Sequence, residues 1–136
     1  MKIATPVDLI ILNKEQKTLL LRRAETEDSH TRKWSIAGGG IKKGETQHEA
    51  LRREVKEELG CEITWFKPFK EFEYIMPDKI VRAMYYFGEI KGKIKISEEH
   101  SEFGWFSFEE IKDLDIAFNQ KEILIEFFTF IKTHKI

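Results

Sequence analysis

The stretch Gly39-Gly40-Ile41-Lys42-Lys43-Gly44-Glu45-Thr46-Gln47-His48-Glu49-Ala50-Leu51-Arg52-Arg53-Glu54-Val55-Lys56-Glu57-Glu58-Leu59-Gly60-Cys61 decides how this chain reads. Its second half has a helical pattern: Leu51, Val55 and Leu59 recur every four residues and make one apolar stripe. Thr46 and Glu49 have the spacing of a capping box and Gly60 suits a helix end, so the pattern predicts a helix over Glu45 to Leu59. On it Glu54, Glu57 and Glu58 stand at i, i+3 and i+4, sharing a face at the border of the stripe. Crowded carboxylates repel one another unless a cation neutralises them, and hard divalent ions fit oxygen ligands: Mg²⁺ above all, with Mn²⁺ as a substitute. Taken alone, the three acids read more often as a solvated face, since 35% of the chain is charged. The glycines Gly38, Gly39 and Gly40 shift that balance. They let backbone approach a ligand closely beside a helix amino end, where anionic groups are favoured.

Outward from this stretch, Ile3 to Leu12 and Thr18 to Arg23 read as buried strands around the turn Asn13 to Gln16. Ala24 to Lys33 reads as an exposed loop, and the three glycines are expected to break regular structure after Trp34 to Ala37. Cys61 to Met76 reads as extended, with Pro68 marking an edge or a bulge, and Pro77-Asp78 as a turn. Ile80 to Ile90 is a second extended run, Lys91-Gly92-Lys93 a turn, and Phe103 to Phe106 a short strand. Phe108 to Leu114 suggests a short helix. Phe118 to Lys132 suggests a longer one, with Glu122, Glu126, Thr129 and Thr133 on its polar side. That helix is apolar around much of its circumference, so it must bury itself against the sheet or against a second subunit, and a homodimer is one way to do so. Strands and helices mix without regular alternation, which points to an α/β class with a layered sheet.

The chain has 136 residues, the length of one ordinary domain, and 41% hydrophobic residues are enough for a core. Lys and Arg number 23 against 24 for Asp and Glu, a net charge of -1 that gives no electrostatic support for binding nucleic-acid polymers or acidic membranes. Cys61 is the only cysteine, which excludes an intrachain disulfide and a cysteine-rich zinc site. The apolar run Val7 to Leu12 is interrupted by Asp8 and too short for a signal-peptide core, and no run approaches the roughly 20 apolar residues of a membrane span. The expectation is a soluble, cytoplasmic, single domain over residues 1–136.

The fixed letters of the opening stretch carry a resemblance. Gly39, Glu45, Arg53-Glu54-Val55, Glu57-Glu58 and Gly60-Cys61, at these intervals, resemble the signature of the Nudix hydrolases, the MutT-like enzymes. A chance match at this chain's residue frequencies is on the order of one in a million. There are two departures: Cys61 where an aliphatic residue is usual, and Ala37 where a proline often precedes the glycine pair. The first packs as a small hydrophobe; the second bears on loop rigidity and not on the metal site.

The resemblance implies an α/β/α sandwich, a mixed sheet with flanking helices. It implies a hydrolase of phosphoric anhydride bonds, acting on a nucleoside diphosphate linked to another moiety by attack of water on phosphorus. Glu54, Glu57 and Glu58 would be the metal ligands, Gly39 would add its carbonyl, and Gly38, Gly39 and Gly40 would meet the substrate. Arg53 would pair with Glu45 and orient the carboxylates. Farther on, Glu98-Glu99-His100-Ser101-Glu102 before Trp105 looks like the family's downstream acidic segment, with Glu102 the first choice for the general base and Glu99 the second. A charged surface loop is the plain alternative. The short chain looks most like members that convert a (d)NTP to the monophosphate and pyrophosphate. Cleavage of ADP-ribose, a nucleotide sugar or a dinucleoside polyphosphate is the runner-up, and a non-catalytic nucleotide-binding module would lack a ligand that this chain retains.

The remaining candidates read as structural. His30, His48, His100 and His134 have no metal spacing with one another and read as surface residues. Cys61 has no base partner in view and reads as packing. Trp34, Phe72, Tyr74 and Phe87 could stack on a base but fit a core better. Pro77, near where ADP-ribose-cleaving members carry a proline, is explained by its turn.

Overall fold

The computed structural model describes residues 2–24, 32–117 and 119–134. Its elements are β1 (Lys2–Ala4), β2 (Val7–Ile11), β3 (Thr18–Arg23), β4 (Trp34–Ser35), β5 (Ala37–Gly39), α1 (Gln47–Leu59), β6 (Glu62–Ile75), β7 (Lys79–Lys91), β8 (His100–Phe106), α2 (Phe108–Ile111) and α3 (Gln120–Thr133). Most of the expected loop at Ala24 to Lys33, with His30, lies outside the described residues, as does Phe118.

Strand β7 is the middle of the larger sheet. It pairs in parallel with β1 and β2 along one edge and antiparallel with β6 along the other, and β5 closes the far side of β2. A smaller antiparallel sheet runs β4-β3-β8, joined to the first through the bridge Leu12 to Thr18. The expected single strand Ile3 to Leu12 is therefore two strands. Pro6 has no N–H for a ladder, so the run breaks there, although its carbonyl still accepts from Met84 N at 3.0 Å.

Side-chain alternation sorts the core onto two faces. Val7, Leu9 and Ile11 join Leu19 and Leu21 beneath Ala50, Leu51, Val55 and Leu59 of α1. Ile10, Leu12 and Leu20, with Val81, Ala83, Tyr85 and Phe87 of β7, meet Ile123, Leu124, Phe127, Phe128 and Ile131 of α3. Strand β2 is thus buried on both faces, which explains its nearly unbroken apolar run. The result is a mixed sheet with helices on both sides, and the apolar face of α3 is filled by the chain's own sheet.

Local chemistry sets the boundaries. Thr46 caps α1 in extended conformation, accepting from Glu49 N while the Glu49 side chain accepts from Thr46 N. The helix therefore starts at Gln47, leaving Glu45 outside it and free to reach sideways. Gly60 ends it in the left-handed region (φ 68°). Gly38 and Gly39 do not break regular structure as expected: they sit in β5 opposite Asp8 and Val7. At Gly38 a Cβ would lie 2.2 Å from the Val7 carbonyl oxygen, so glycine serves close backbone approach here. Pro68 lies at a register shift in β6, the expected bulge, and the helix after Phe108 is only four residues long.

Candidate active site

Strand β5 runs into the loop before α1, placing Gly38 and Gly39 beside the acidic face of that helix. Arg53 organises this corner. Its Nε donates to Glu45 Oε2 at 2.6 Å and its Nη2 to Glu45 Oε1 and the Gly40 carbonyl, both at 2.9 Å. Nη1 donates to Glu54 Oε1 at 2.9 Å and to both oxygens of Glu57 at 3.3 Å. The paired guanidinium lowers the Glu45 pKa to about 2, and Glu45 in turn raises that of Arg53.

Glu58 is placed differently. Its Oε1 accepts from Gly38 N at 2.8 Å, and its Oε2 lies 3.7 Å from His100 Nε2. Burial pushes its pKa up to about 8 against the Gly38 hydrogen bond, with Glu54, Glu99 and Glu57 adding to the rise. His100, expected at the surface, is buried: β8 begins three residues earlier than the sequence pattern suggested, and this carries His100 inward. Burial lowers its pKa and favours the neutral ring. Ser97 Oγ lies 3.4 Å from His100 Nδ1, while Ser97 N and Lys95 N donate to the carbonyls of Glu58 and Leu59 at 3.1 and 2.8 Å. The segment 95–100 thus satisfies the free carbonyls at the end of α1 and is fastened to it.

The fastening brings Glu99 into a cavity of about 320 Å³ with Glu54, Glu57, Glu58, Gly38, Gly39, Ser97 and Arg23. Glu102 is not among these residues. It stands on β8 opposite Arg22, its carboxylate 3.6 Å from that guanidinium, on an exposed position. Of the two choices for the base, the fold brings the second to the cavity and leaves the first outside. Gly40 turns away as well. It lines a neighbouring cavity of about 310 Å³ with Ala4, Thr5, Pro6, Tyr74, Met76, Lys79 and Val81.

The donor set suits a hard divalent ion: four carboxylates and glycine backbone, all oxygen, around an open cavity. A Cβ at Gly39 would come within 2.7 Å of the Glu54 carboxyl and would push that side chain from its place beside the glycine backbone. Among the described residues no three acidic, histidine or cysteine side chains already form a cage.

The other residues singled out from sequence sort as follows. Trp34 and Phe87 are core, Phe72 packs against it, and Tyr74 is half-buried on the second cavity. Cys61 is a buried free thiol whose pKa is raised by desolvation, as an unreactive packing residue's would be. His48 is exposed, edge-on to Phe66, and His134 is exposed. Pro77 is exposed after β6. Asp8, Arg23, Ser97 and His100 were not anticipated. Only Asp8 left a trace in the sequence, as an acid inside a buried strand.

A NUDIX domain model matches residues 2–127. The chain belongs to the Nudix family. It is 30% identical to the nucleoside triphosphatase NudI of Enterobacter sp. (strain 638), over 84% of this chain and 94% of that protein. It is 34% identical to an RNA pyrophosphohydrolase of Campylobacter jejuni, over 74% of this chain and 70% of that one. The MutT protein of Methanosarcina mazei Go1 has the same fold, with a TM-score of 0.81, 27% identity and coverage of 98% and 97% of the two chains. As a Nudix hydrolase, this is an enzyme acting on phosphoric anhydride bonds of nucleotide substrates, in a family that works with divalent metals. Among the described residues no helix is long and apolar enough to cross a membrane.

Proposed function

We propose that this Nudix hydrolase is a Mg²⁺-dependent pyrophosphohydrolase that converts a (d)NTP to the monophosphate and pyrophosphate. The observation that carries the reading is the pairing of two cavities across the Gly38-Gly39-Gly40 step. One is lined by Glu54, Glu57, Glu58 and Glu99, the other by Tyr74, Met76, Val81 and Pro6. A triphosphate with its metal suits the first and a nucleoside suits the second. Glu54, Glu57, Glu58 and the Gly39 carbonyl would hold Mg²⁺, which would supply charge neutralisation of phosphate oxygens and a more acidic water.

The chain's own groups then divide the remaining work. Arg53, fixed by Glu45, sets the rotamers of Glu54 and Glu57. Arg23 faces the carboxylates across the cavity and meets phosphate oxygens that carry negative charge. Glu99 accepts the proton of the attacking water as its oxygen bonds to phosphorus and the anhydride P–O bond between the α- and β-phosphorus breaks, giving the monophosphate and pyrophosphate. The similarity to a nucleoside triphosphatase supports the choice of substrate. The near-zero net charge supports free nucleotides over nucleic-acid polymers, and the single cysteine suits a reducing compartment such as the cytoplasm.

A panel of (d)NTPs, ADP-ribose, nucleotide sugars, dinucleoside polyphosphates and 5′-triphosphorylated RNA, assayed with Mg²⁺, tests this. Release of pyrophosphate from a (d)NTP as the best substrate is the expected result. A clear preference for any other class, or no turnover of any, rejects it.

A further inference from the structure

The two cavities leave one chemically expensive group unused. Asp8 sits on β2 between Val7 and Leu9, and only 6% of it is exposed. It faces the α3 side of the larger sheet, the side of Ile10, because strand residues two apart share a face. No described residue donates a hydrogen bond to its carboxyl. The charges of Glu58 and Glu54 of α1 bear on it, and around it lies a small polar island at the apolar core. The hydroxyls of Tyr74 and Tyr85 both feel its charge, Tyr85 is hydrogen-bonded to Gln120 of α3, and Gln120 Oε1 accepts from Ile36 N at 2.8 Å. A buried carboxyl without a partner is costly, and a leucine of similar size would pack there at no such cost.

Its position relates it to the second cavity. That cavity is walled by Ala4 and Pro6 from the β1/β2 run, Val81 from β7, Tyr74 from β6 and Gly40 after β5. Ala4, Tyr74 and Met76 pack against the α3-side core, so this cavity opens on the same sheet face as Asp8. The strand registers place Asp8 farther along that face, beyond the cavity wall: it is two residues past Pro6 and opposite Gly38, and its partner Tyr85 is four residues along β7 from Val81, the partner of Ala4. A base resting on Tyr74 and Val81 would point its edge toward this carboxyl. The exocyclic amine is the donor that projects farthest from a base ring, and a carboxyl keeps an acceptor oxygen in either protonation state.

We propose that Asp8 is a specificity-determining residue that accepts a hydrogen bond from the exocyclic amine of a nucleobase seated in the Gly40/Tyr74 cavity. The enzyme thereby prefers triphosphates of amino-bearing bases. This deepens the triphosphate reading above and rests on it.

The test is steady-state kinetics of the full chain with Mg²⁺ on two matched pairs, GTP against ITP and CTP against UTP. The variants are Asp8→Leu, Asp8→Ala as a second truncation should leucine not fold, and Asp8→Asn, which keeps an acceptor oxygen. Wild type is expected to favour the amino-bearing member of at least one pair by about tenfold in kcat/KM, mostly through KM, because a site built for a substrate N–H rejects the analogue lacking it. The truncations should bring that ratio near one, Asp8→Asn should retain most of it, and Asp8→Leu should melt no lower than wild type. Equal use of both members of both pairs by wild type overturns the proposal, as does a truncation that keeps the preference. A changed Mg²⁺ requirement with the preference intact also overturns it and moves Asp8 to the metal site. Wild-type turnover separates the two readings: no hydrolysis of any of the four nucleotides fails the triphosphate reading itself, and this inference with it.

Discussion

Arg53 grips Glu45 through two parallel hydrogen bonds, Nε to Oε2 at 2.6 Å and Nη2 to Oε1 at 2.9 Å. The grip fixes the plane of the guanidinium, and that plane aims Nη1 at Glu54 and Glu57 and Nη2 at the Gly40 carbonyl. A point charge on a flexible stem cannot hold five such contacts at once. Arg53→Lys should therefore lower kcat about 10–100-fold, the usual cost of losing a group that orients metal ligands. Glu45→Gln should lose less, because it leaves the arginine in place. Equal activity of Arg53→Lys and wild type would remove the orienting role.

Glu57→Gln removes one charge from a crowded set, so folding should be kept or slightly improved while kcat falls by about a thousandfold or more. Circular dichroism together with the turnover rate checks both halves. A folded variant with near-wild-type rate would take Glu57 out of the metal site.

Glu99 and Glu102 stand three residues apart yet in different surroundings, one in the carboxylate cavity and one beside Arg22 on an exposed strand. Glu99→Gln should cost about 10²–10⁴-fold in kcat, the range for a general base, and Glu102→Gln less than about twofold. The reverse order would return the base to β8.

Glu58 gives the metal-free protein a pH signature. Its folded pKa of about 8 lies above the ordinary 4.5, so between those values the folded state binds more protons than the unfolded one. The stability it contributes is full below pH 4.5 and is lost as pH rises through 8. The raised Asp8 pKa acts in the same direction. Above pH 7, where the opposing titration of buried His100 is complete, melting temperatures in a chelator should thus fall toward pH 9, and Mg²⁺ should offset the fall increasingly as pH rises, because the ion competes with the proton. Glu58→Gln should flatten the chelator curve. A flat wild-type curve would contradict the assignment.

Much of this fold could be read from residue pattern because its strongest elements are local. The stripe Leu51, Val55, Leu59 and the Thr46/Glu49 box define the thirteen residues of α1 from within the helix and its cap. The two-faced burial of β2 was less legible, since it depends on β7, some eighty positions away. At the site, the acids of α1 share a helix and could be grouped from spacing. Glu99 and His100 reach them only because segment 95–100 hydrogen-bonds to the end of α1, and spacing carries no sign of that. Asp8 was visible as an oddity, an acid among Val7, Leu9 and Ile10, but its neighbours Tyr74, Tyr85 and Gly38 come from three other strands.

The central claim is that the cavity of Glu54, Glu57, Glu58 and Glu99 holds a divalent ion that a nucleotide's phosphates share. The most direct measurement is a Mn²⁺ titration followed by electron paramagnetic resonance, with and without a non-hydrolysable nucleoside triphosphate and with Mg²⁺ as competitor. Saturable Mn²⁺ binding that tightens with the nucleotide, is displaced by Mg²⁺ and is lost in Glu57→Gln is the expected result. A free Mn²⁺ signal that wild type lowers no further than a protein-free control does, with or without the nucleotide, would contradict it.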